Sequence, residues 1–232
     1  SARPTQTIAT VRAWTPIGAA RGWVAWSVPA AGGFQLVAQH GGVSRRLPVT
    51  SAGTPSALDL GTDARGRAVA TFSRCAAATT DCRVRVVDLA SGRERPAGIP
   101  HPPGTSDRFA SMWQGRVAFA RRDRGRHRNV DQVLLWTPGS PRLRVIPHGT
   151  APASCRAFTA PYDCPAVVTA EVTALDLGSQ FVAFTWFFRD SMLSNDVEIR
   201  AVDIRSGKRH LIGRDSTSVE FCTDEPPYVD WG

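Results

Sequence analysis

A chain of 232 residues with 42% hydrophobic side chains is long enough to bury one large all-β core or two ordinary cores. Its longest apolar run, FVAFTWFF at residues 181–188, is far too short to cross a bilayer, so no membrane span is expected. The net charge of +8 comes from arginines scattered over every segment, with Lys208 the only lysine. Outside one loop, no basic stripe with interleaved aromatics indicates a nucleic-acid partner.

Short segments rich in β-branched and aromatic residues follow one another along the chain, separated by turn signals. None has helical periodicity, so every one is predicted to be a strand or a hairpin. In chain order they are GWVAWSV (22–28), FQLVAQHGGVSRRLPV (34–49), SALDLGTDARGRAVATFSRC (56–75), VVDLASGRER (86–95), FASMWQGRVAFARR (109–122), QVLLWTPGSPRLRVIP (132–147), TALDLGSQFVAFTWFFRD (173–190) and AVDIRSGKRH (201–210).

These segments form four copies of one unit. ALDLG at 57–61 recurs at 174–178, and VVDLASGRER recurs 115 residues later as AVDIRSGKRH. A Val-Ala step marks the second strand of each copy, with spacings of 45, 48 and 65 residues, at Val24, Val69, Val117 and Val182. A repeat of about 45 residues containing four short strands is typical of a β-propeller blade.

The sequence therefore predicts an all-β fold, a single β-propeller domain over residues 1–232 with four-stranded antiparallel blades. The blades are expected at about 12–49, 56–97, 108–147 and 172–213, and residues 214–232 are expected to begin a fifth blade. YVDWG at 228–232 has the form of ALDLG, which places it as a first strand. Two alternatives stay open: the chain is a piece of a larger propeller, or TIATVRAW at 7–14 helps to close the ring.

The repeat resembles the propeller repeats of the TolB-like family, within the wider group of Trp-Asp-repeat-like propellers. In those repeats a strand ending near Asp-Gly precedes an apolar-Ala-Phe step and a return strand of the form Φ-x-x-D-Φ, where Φ is apolar. The resemblance covers residues 56–97 and 173–213 and lacks the family's Ser-Pro-Asp-Gly turn. It implies a propeller, and little about the ligand.

The spacing of the five cysteines indicates the cellular compartment of the protein. Cys75 with Cys82 and Cys155 with Cys164 flank short polar stretches without metal-ligand spacing, which predicts two disulfides and leaves Cys222 over. Disulfides indicate a secreted, periplasmic or cell-surface protein. Residues 1–10 contain no signal peptide and are expected to be the polar start of a mature or trimmed chain. The odd cysteine favours the larger-propeller alternative.

Four unusual loops are predicted to share one rim of the propeller: residues 75–82, 121–131, 148–171 and 189–196. In propellers, connections from second to third strands lie on the same side as connections between blades. The loop RRDRGRHRNVD (121–131) predicts a dock for an anionic protein or glycan, or else a solvated hairpin tip. Its candidate ligand-binding residues are Arg121, Arg122, Arg124, Arg126, His127 and Arg128.

Asp59, Asp176 and Asp230 occupy one blade position, on first strands that line the central channel. They are candidates for a carboxylate ring that binds a cation or cleaves glycosides. The alternative is that each aspartate bonds nearby backbone N–H groups. Ser111 takes the position in the third blade, which weakens a catalytic ring. No zinc or nucleophile motif is present, so no cofactor is expected.

Two functions follow from the sequence. The first is a monomeric, non-catalytic propeller that binds a macromolecule or glycan through its disulfide-bearing rim. The second is a five-bladed-type glycoside-acting enzyme that uses the channel carboxylates.

Overall fold

The computed structural model describes residues 15–51, 57–76, 80–123, 131–147, 167–190 and 195–217, together with residue 7 and residues 9–11. These ranges contain sixteen β-strands and no helix, and so no helix long and apolar enough to cross a membrane. The strands are β1 (Ile17–Ala20), β2 (Trp23–Ala30), β3 (Gly33–His40), β4 (Val43–Ser51), β5 (Leu58–Thr62), β6 (Ala68–Arg74), β7 (Arg83–Asp88), β8 (Glu94–Pro96), β9 (Thr105–Trp113), β10 (Arg116–Asp123), β11 (Asp131–Trp136), β12 (Arg144–Val145), β13 (Val167–Leu177), β14 (Phe181–Asp190), β15 (Asn195–Asp203) and β16 (Arg209–Thr217).

The strands form four antiparallel four-stranded sheets, in each of which every strand pairs with the next one along the chain. We call them blade 1 (β1–β4), blade 2 (β5–β8), blade 3 (β9–β12) and blade 4 (β13–β16). Their first strands lie side by side, because β1 contacts β5, β5 contacts β9, and β9 contacts β13. The predicted all-β propeller fold is therefore confirmed. The extent of the domain and a fifth blade within residues 214–232 stay predictions.

Each blade has a forward face, directed toward the side of the following blade, and a backward face, directed toward the side of the preceding one. Three apolar cores lie between successive blades. In β6, Ala70 and Phe72 point backward into the core with blade 1, whereas Val69 points forward into the core with blade 3. Trp186, the largest fully buried side chain among the described residues, lies between blades 3 and 4. Each fully buried large apolar side chain contributes about 1.5–3 kcal/mol.

The strand register confirms the repeat and corrects one part of its alignment. Leu60 of blade 2 pairs with Ala70, just as Leu177 of blade 4 pairs with Val182. Ala70, not Val69, is therefore the equivalent of Val182, and the predicted equivalence of the four Val-Ala steps is wrong by one residue in blade 2. The reason is that β6 is buried on both faces. AVATF therefore has no alternation of apolar and polar residues that would show which side chains point to which face.

The repeated phrase that ends blades 2 and 4 forms the same turn twice. Asp88 accepts hydrogen bonds from the backbone N–H and the hydroxyl of Ser91 at 2.7 and 2.9 Å, and Asp203 accepts the same two bonds from Ser206 at the same distances. The following glycine has positive φ in both copies. Asp88 and Asp203 therefore have the same structural role in the two turns.

Candidate functional site

The rim is the side of the propeller where second strands end, third strands begin and the chain passes between blades. Antiparallel order sends all these connections to one side. Described rim residues lie at the ends of the predicted loops, including residues 75–76, 80–82, 121–123, 131, 171, 189–190 and 195–196. The remaining loop residues, with Cys155, Cys164 and Cys222, lie outside the described part of the chain.

The Cys75–Cys82 disulfide is confirmed and holds the blade 2 loop at the base of the rim. Cys82 is fully buried, and its backbone is fixed to β9 from both sides. The N–H of Asp107 donates to the Cys82 carbonyl at 2.8 Å, and the N–H of Cys82 donates to Ser106 Oγ at 3.2 Å. The loop is therefore part of the interface between blades 2 and 3.

His101 links this loop to blade 3. Its Nε2 lies 3.0 Å from Asp81 in the loop, and its Nδ1 lies 3.0 Å from Asp107 in β9. Arg121, at the end of β10, donates to both oxygens of Asp107 at 2.6 and 2.8 Å and to the Pro100 carbonyl. The hydrogen bond from His101 holds the pKa of Asp81 below its ordinary value. These residues form a continuous polar chain from the disulfide loop to β10.

A second ion-pair group joins blades 3 and 4 at the rim. Asp131 is fully buried and accepts from Arg122 at 2.9 Å, from Arg108 at 3.1 Å and from the N–H of Val172 at 2.9 Å. Arg122 also reaches Glu171 at 3.0 Å. Burial alone would lower the pKa of Arg122, but Asp131 and Glu171 raise it above its ordinary value. The start of β13 is thus fixed beside the end of β10.

These contacts place two of the predicted ligand-binding residues inside the fold. Arg121 is buried and Arg122 is largely buried, and both are paired with carboxylates between strands. The other four, Arg124, Arg126, His127 and Arg128, lie outside the described residues. A ligand-binding role for the six stays a prediction. Sequence reasoning missed His101, Asp107 and Asp131, because no local motif marks partners that meet only after the blades pack.

The predicted channel carboxylates Asp59 and Asp176 meet through Ser111. Ser111 Oγ donates to Asp176 Oδ1 at 3.3 Å and accepts the N–H of Leu177 at 2.9 Å. Burial raises the pKa of Asp59 to about 6; the Ser111 hydroxyl lowers it and Asp176 raises it further. Oδ2 of Asp59 is shut off from solvent and has no hydrogen-bond partner among the described residues.

The contacts of Asp59 favour a structural role at the blade interface. The nearby backbone N–H groups of Leu60 and Met112 lower the pKa of its carboxyl group against the effect of burial. Asp230 lies outside the described part of the chain, and the described residues contain no cluster of three His, Cys, Asp or Glu side chains that could hold a metal. Catalysis or cation binding by the three aspartates stays a prediction.

Replacing Asp59 with Asn should change the pH dependence of stability. Since the pKa of Asp59 is raised from 3.8 to about 6 on folding, the folded chain binds more protons in this window, and stability falls as the pH rises through it. Asp59→Asn should remove this loss. Its unfolding free energy relative to that of wild type should therefore rise by up to about 2 kcal/mol between pH 4 and pH 7. Urea unfolding at several pH values measures the difference.

Asp203→Asn is the matched control. Hydrogen bonds from backbone N–H groups and from the Ser206 hydroxyl lower the pKa of Asp203 to about 2. The contribution of Asp203 to stability is therefore lost only as the pH falls below 3.8, the pKa of this group in the unfolded chain. The slope between pH 4 and pH 7 should therefore stay as in wild type. An unchanged slope in Asp59→Asn would contradict the prediction.

No family model matches the sequence, and no curated protein matches it, so the resemblance to TolB-like repeats is not confirmed. The chain is similar to the β-propeller domain of the Trilobed protease from Pyrococcus furiosus, described as having an open velcro topology, with a TM-score of 0.46 and 10% identity over 90% of this chain and 54% of that one.

Two further solved structures are similar. One comes from a structural and mechanistic study of two prolyl endopeptidases, with a TM-score of 0.42 and 12% identity over 88% of this chain and 27% of that one. The other is the tricorn protease, with a TM-score of 0.29 and 12% identity over 90% of this chain and 22% of that one. The chain thus spans about half the length of the Trilobed protease domain and about a quarter of the other two. These likenesses carry no inference about activity.

Proposed function

We propose that the protein is a non-catalytic binding scaffold that holds an anionic protein or glycan partner on its rim, as a monomer in a secreted, periplasmic or cell-surface location. One observation carries the proposal: the disulfide loop of blade 2 is fixed to blade 3 through the chain Asp81, His101, Asp107 and Arg121. The disulfide also supports an oxidising compartment.

Fixing the rim before a partner arrives favours binding. Ordering a loop on binding costs conformational entropy. A loop that is already held by a disulfide and hydrogen bonds loses less conformational entropy when a partner binds. Arg122 and Asp131 fix the neighbouring loop ends of blade 3 in the same way. Loops supported by a rigid scaffold are where binding residues concentrate.

Two arginines of the basic loop (residues 121–131) are already paired within the fold, so only part of the loop's positive charge is available to a partner. Arg121 and Arg122 are neutralised by buried carboxylates, so they offer little free positive charge to a partner. The attraction for an anionic partner is therefore assigned to Arg124, Arg126 and Arg128. Carboxylate, sulfate and phosphate groups are the partners that guanidinium groups bind best.

Immobilised heparin is a suitable anionic probe. Replacing Arg124, Arg126 and Arg128 together with Ala should weaken retention roughly tenfold or more and reduce its dependence on salt, because three charge-assisted contacts are lost. Elution over a sodium chloride gradient measures the change.

A control variant of equal charge separates a site from net charge. Arg65, Arg93 and Arg205 are exposed in hairpins on the opposite side of the propeller. Their joint replacement with Ala removes the same charge and should leave retention close to wild type. Equal losses in the two variants, or no loss in the rim variant, would count against the proposal.

A further inference from the structure

His101 lies between two carboxylates at the rim. Its Nδ1 is 3.0 Å from Oδ2 of Asp107 in β9, and its Nε2 is 3.0 Å from Oδ1 of Asp81 in the disulfide loop of blade 2. Only 10% of the imidazole side chain is exposed. Each of the two ring nitrogens therefore meets one carboxylate oxygen.

Both carboxylates are in the charged form, in which they can only accept hydrogen bonds. Arg121 donates to both oxygens of Asp107, at 2.6 and 2.8 Å, which fixes Asp107 as a carboxylate. The hydrogen bond from His101 holds the pKa of Asp81 below its ordinary value, and Arg83, with its Nε 3.6 Å from Oδ1, lowers it further. Both nitrogens of His101 must therefore be donors.

Only the protonated ring can supply both donors. A neutral imidazole has one N–H, so one of its nitrogens would face a carboxylate oxygen with a lone pair. The Asp107 side chain is 2% exposed, whereas that of Asp81 is 52% exposed and screened by solvent. The single N–H of the neutral ring is therefore stabilised more at Nδ1, beside Asp107, and the contact with Asp81 is the one that is lost.

We propose that His101 is a pH switch for the rim: the imidazolium holds the disulfide loop to β9 through Asp81, and the neutral ring keeps Asp107 and releases Asp81. Among the described residues, the charged groups around the ring are Asp81 from the loop and Asp107 from β9, with Arg83 and Arg121 behind them. Histidine changes its charge between pH 5 and pH 8, so the loop is held at the acidic end of this range and loosened at the other. As a control on partner binding, this inference rests on the proposed function.

Long-range ¹H–¹⁵N NMR spectra of the histidine rings test the switch without a partner. At pH 5, both nitrogens of His101 should carry a proton. At pH 8, the one remaining proton should be on Nδ1, because the buried carboxylate of Asp107 accepts it. His101→Ala identifies the signals that belong to this ring.

Hydrogen exchange at the Cys82 amide, which donates to Ser106 Oγ, measures how firmly the loop is held. Its protection relative to an unstructured peptide at the same pH should fall about threefold from pH 5 to pH 8 in wild type. In Asp81→Asn it should stay constant, because an amide can accept from the imidazolium or donate to the neutral ring. His101→Ala should be weakly protected at both pH values.

His210→Gln is the matched control. His210 lies in blade 4, where its ring contacts Phe181, so removing it changes the titration of the protein but not that of the rim switch. The Cys82 amide should keep the pH dependence of wild type in this variant.

Retention on immobilised heparin at pH 5 and pH 8 tests the regulation of the rim. The salt concentration needed for elution should fall more between these pH values in wild type than in Asp81→Asn, since both proteins keep all their histidines. Equal falls would overturn the regulatory role of the switch. The proposed function is decided separately, by the joint replacement of Arg124, Arg126 and Arg128.

Two further results would overturn the proposal. One is a neutral His101 ring with its proton on Nε2. The other is the same pH dependence of Cys82 protection in wild type and in Asp81→Asn. A ring that is doubly protonated at pH 5 and keeps its Nδ1 proton at pH 8, with protection that falls in wild type and stays constant in Asp81→Asn, would establish the switch.

Discussion

Gly61→Ala should unfold the protein or cost about 3 kcal/mol or more of its unfolding free energy. A Cβ built on Gly61 would lie 1.7 Å from the carbonyl oxygen of Met112, which is backbone and cannot rotate away. The first strands of blades 2 and 3 would have to separate. That movement would break the neighbouring bonds from Gln114 and Gly115 to Thr62, at 3.1 and 3.0 Å. Urea or thermal unfolding of purified protein measures the loss.

Gly213→Ala is the matched control, because Gly213 also lies in a β-strand without positive φ. Its added Cβ would meet only the end of the Ile199 side chain, at 3.9 Å, which is ordinary van der Waals contact. Stability should change by less than about 0.5 kcal/mol. A Gly61→Ala protein as stable as this control would show that the first strands are not packed as described.

Asp131→Asn should cost about 3–5 kcal/mol, because removing one partner of a buried ion pair leaves the other charge without compensation. Arg108 and Arg122 both depend on this carboxylate, and Arg122 would keep only Glu171. The unfolding free energy gives the total loss. Faster hydrogen exchange at Val172, whose N–H donates to Asp131, would locate the damage between blades 3 and 4.

Asp81→Asn provides the comparison for a carboxylate at the surface. Asp81 also pairs with basic groups, Arg83 and His101, but its side chain is half exposed. Solvent screens such pairs, so the change should reduce the unfolding free energy far less than Asp131→Asn does. A loss for Asp131→Asn as small as this one would mean that the buried group contributes little net stability.

The parts of the fold that could be predicted are those encoded by turns and by short repeats. The Asp-x-x-Ser-Gly turns of blades 2 and 4 need particular side chains and a glycine of positive φ, so their sequence is restricted and visible. The two ALDLG strands, at 57–61 and 174–178, could also be recognised as equivalent because their sequences are the same.

The parts that could not be predicted depend on packing between blades. The sequence did not show that Ala70, rather than Val69, is equivalent to Val182, because a strand buried on both faces accepts apolar residues at every position. The bridge from Asp81 through His101 to Asp107 joins residues 20 and 6 positions apart, and no local pattern indicates that they meet. Arg121 and Arg122 looked like loop charges, because sequence alone did not show the carboxylates that neutralise them.

In the described part of the chain, every substantial contact between blades joins blades that are neighbours in sequence. The molecule is therefore quasi-one-dimensional in its energetics, with stability approximated by terms for each blade plus terms for each interface. Damage to the interface between blades 1 and 2 should add independently to damage between blades 3 and 4, because no substantial contact among the described strands couples the two interfaces directly. The same arrangement allows one interface between described blades to open while the other two keep their contacts.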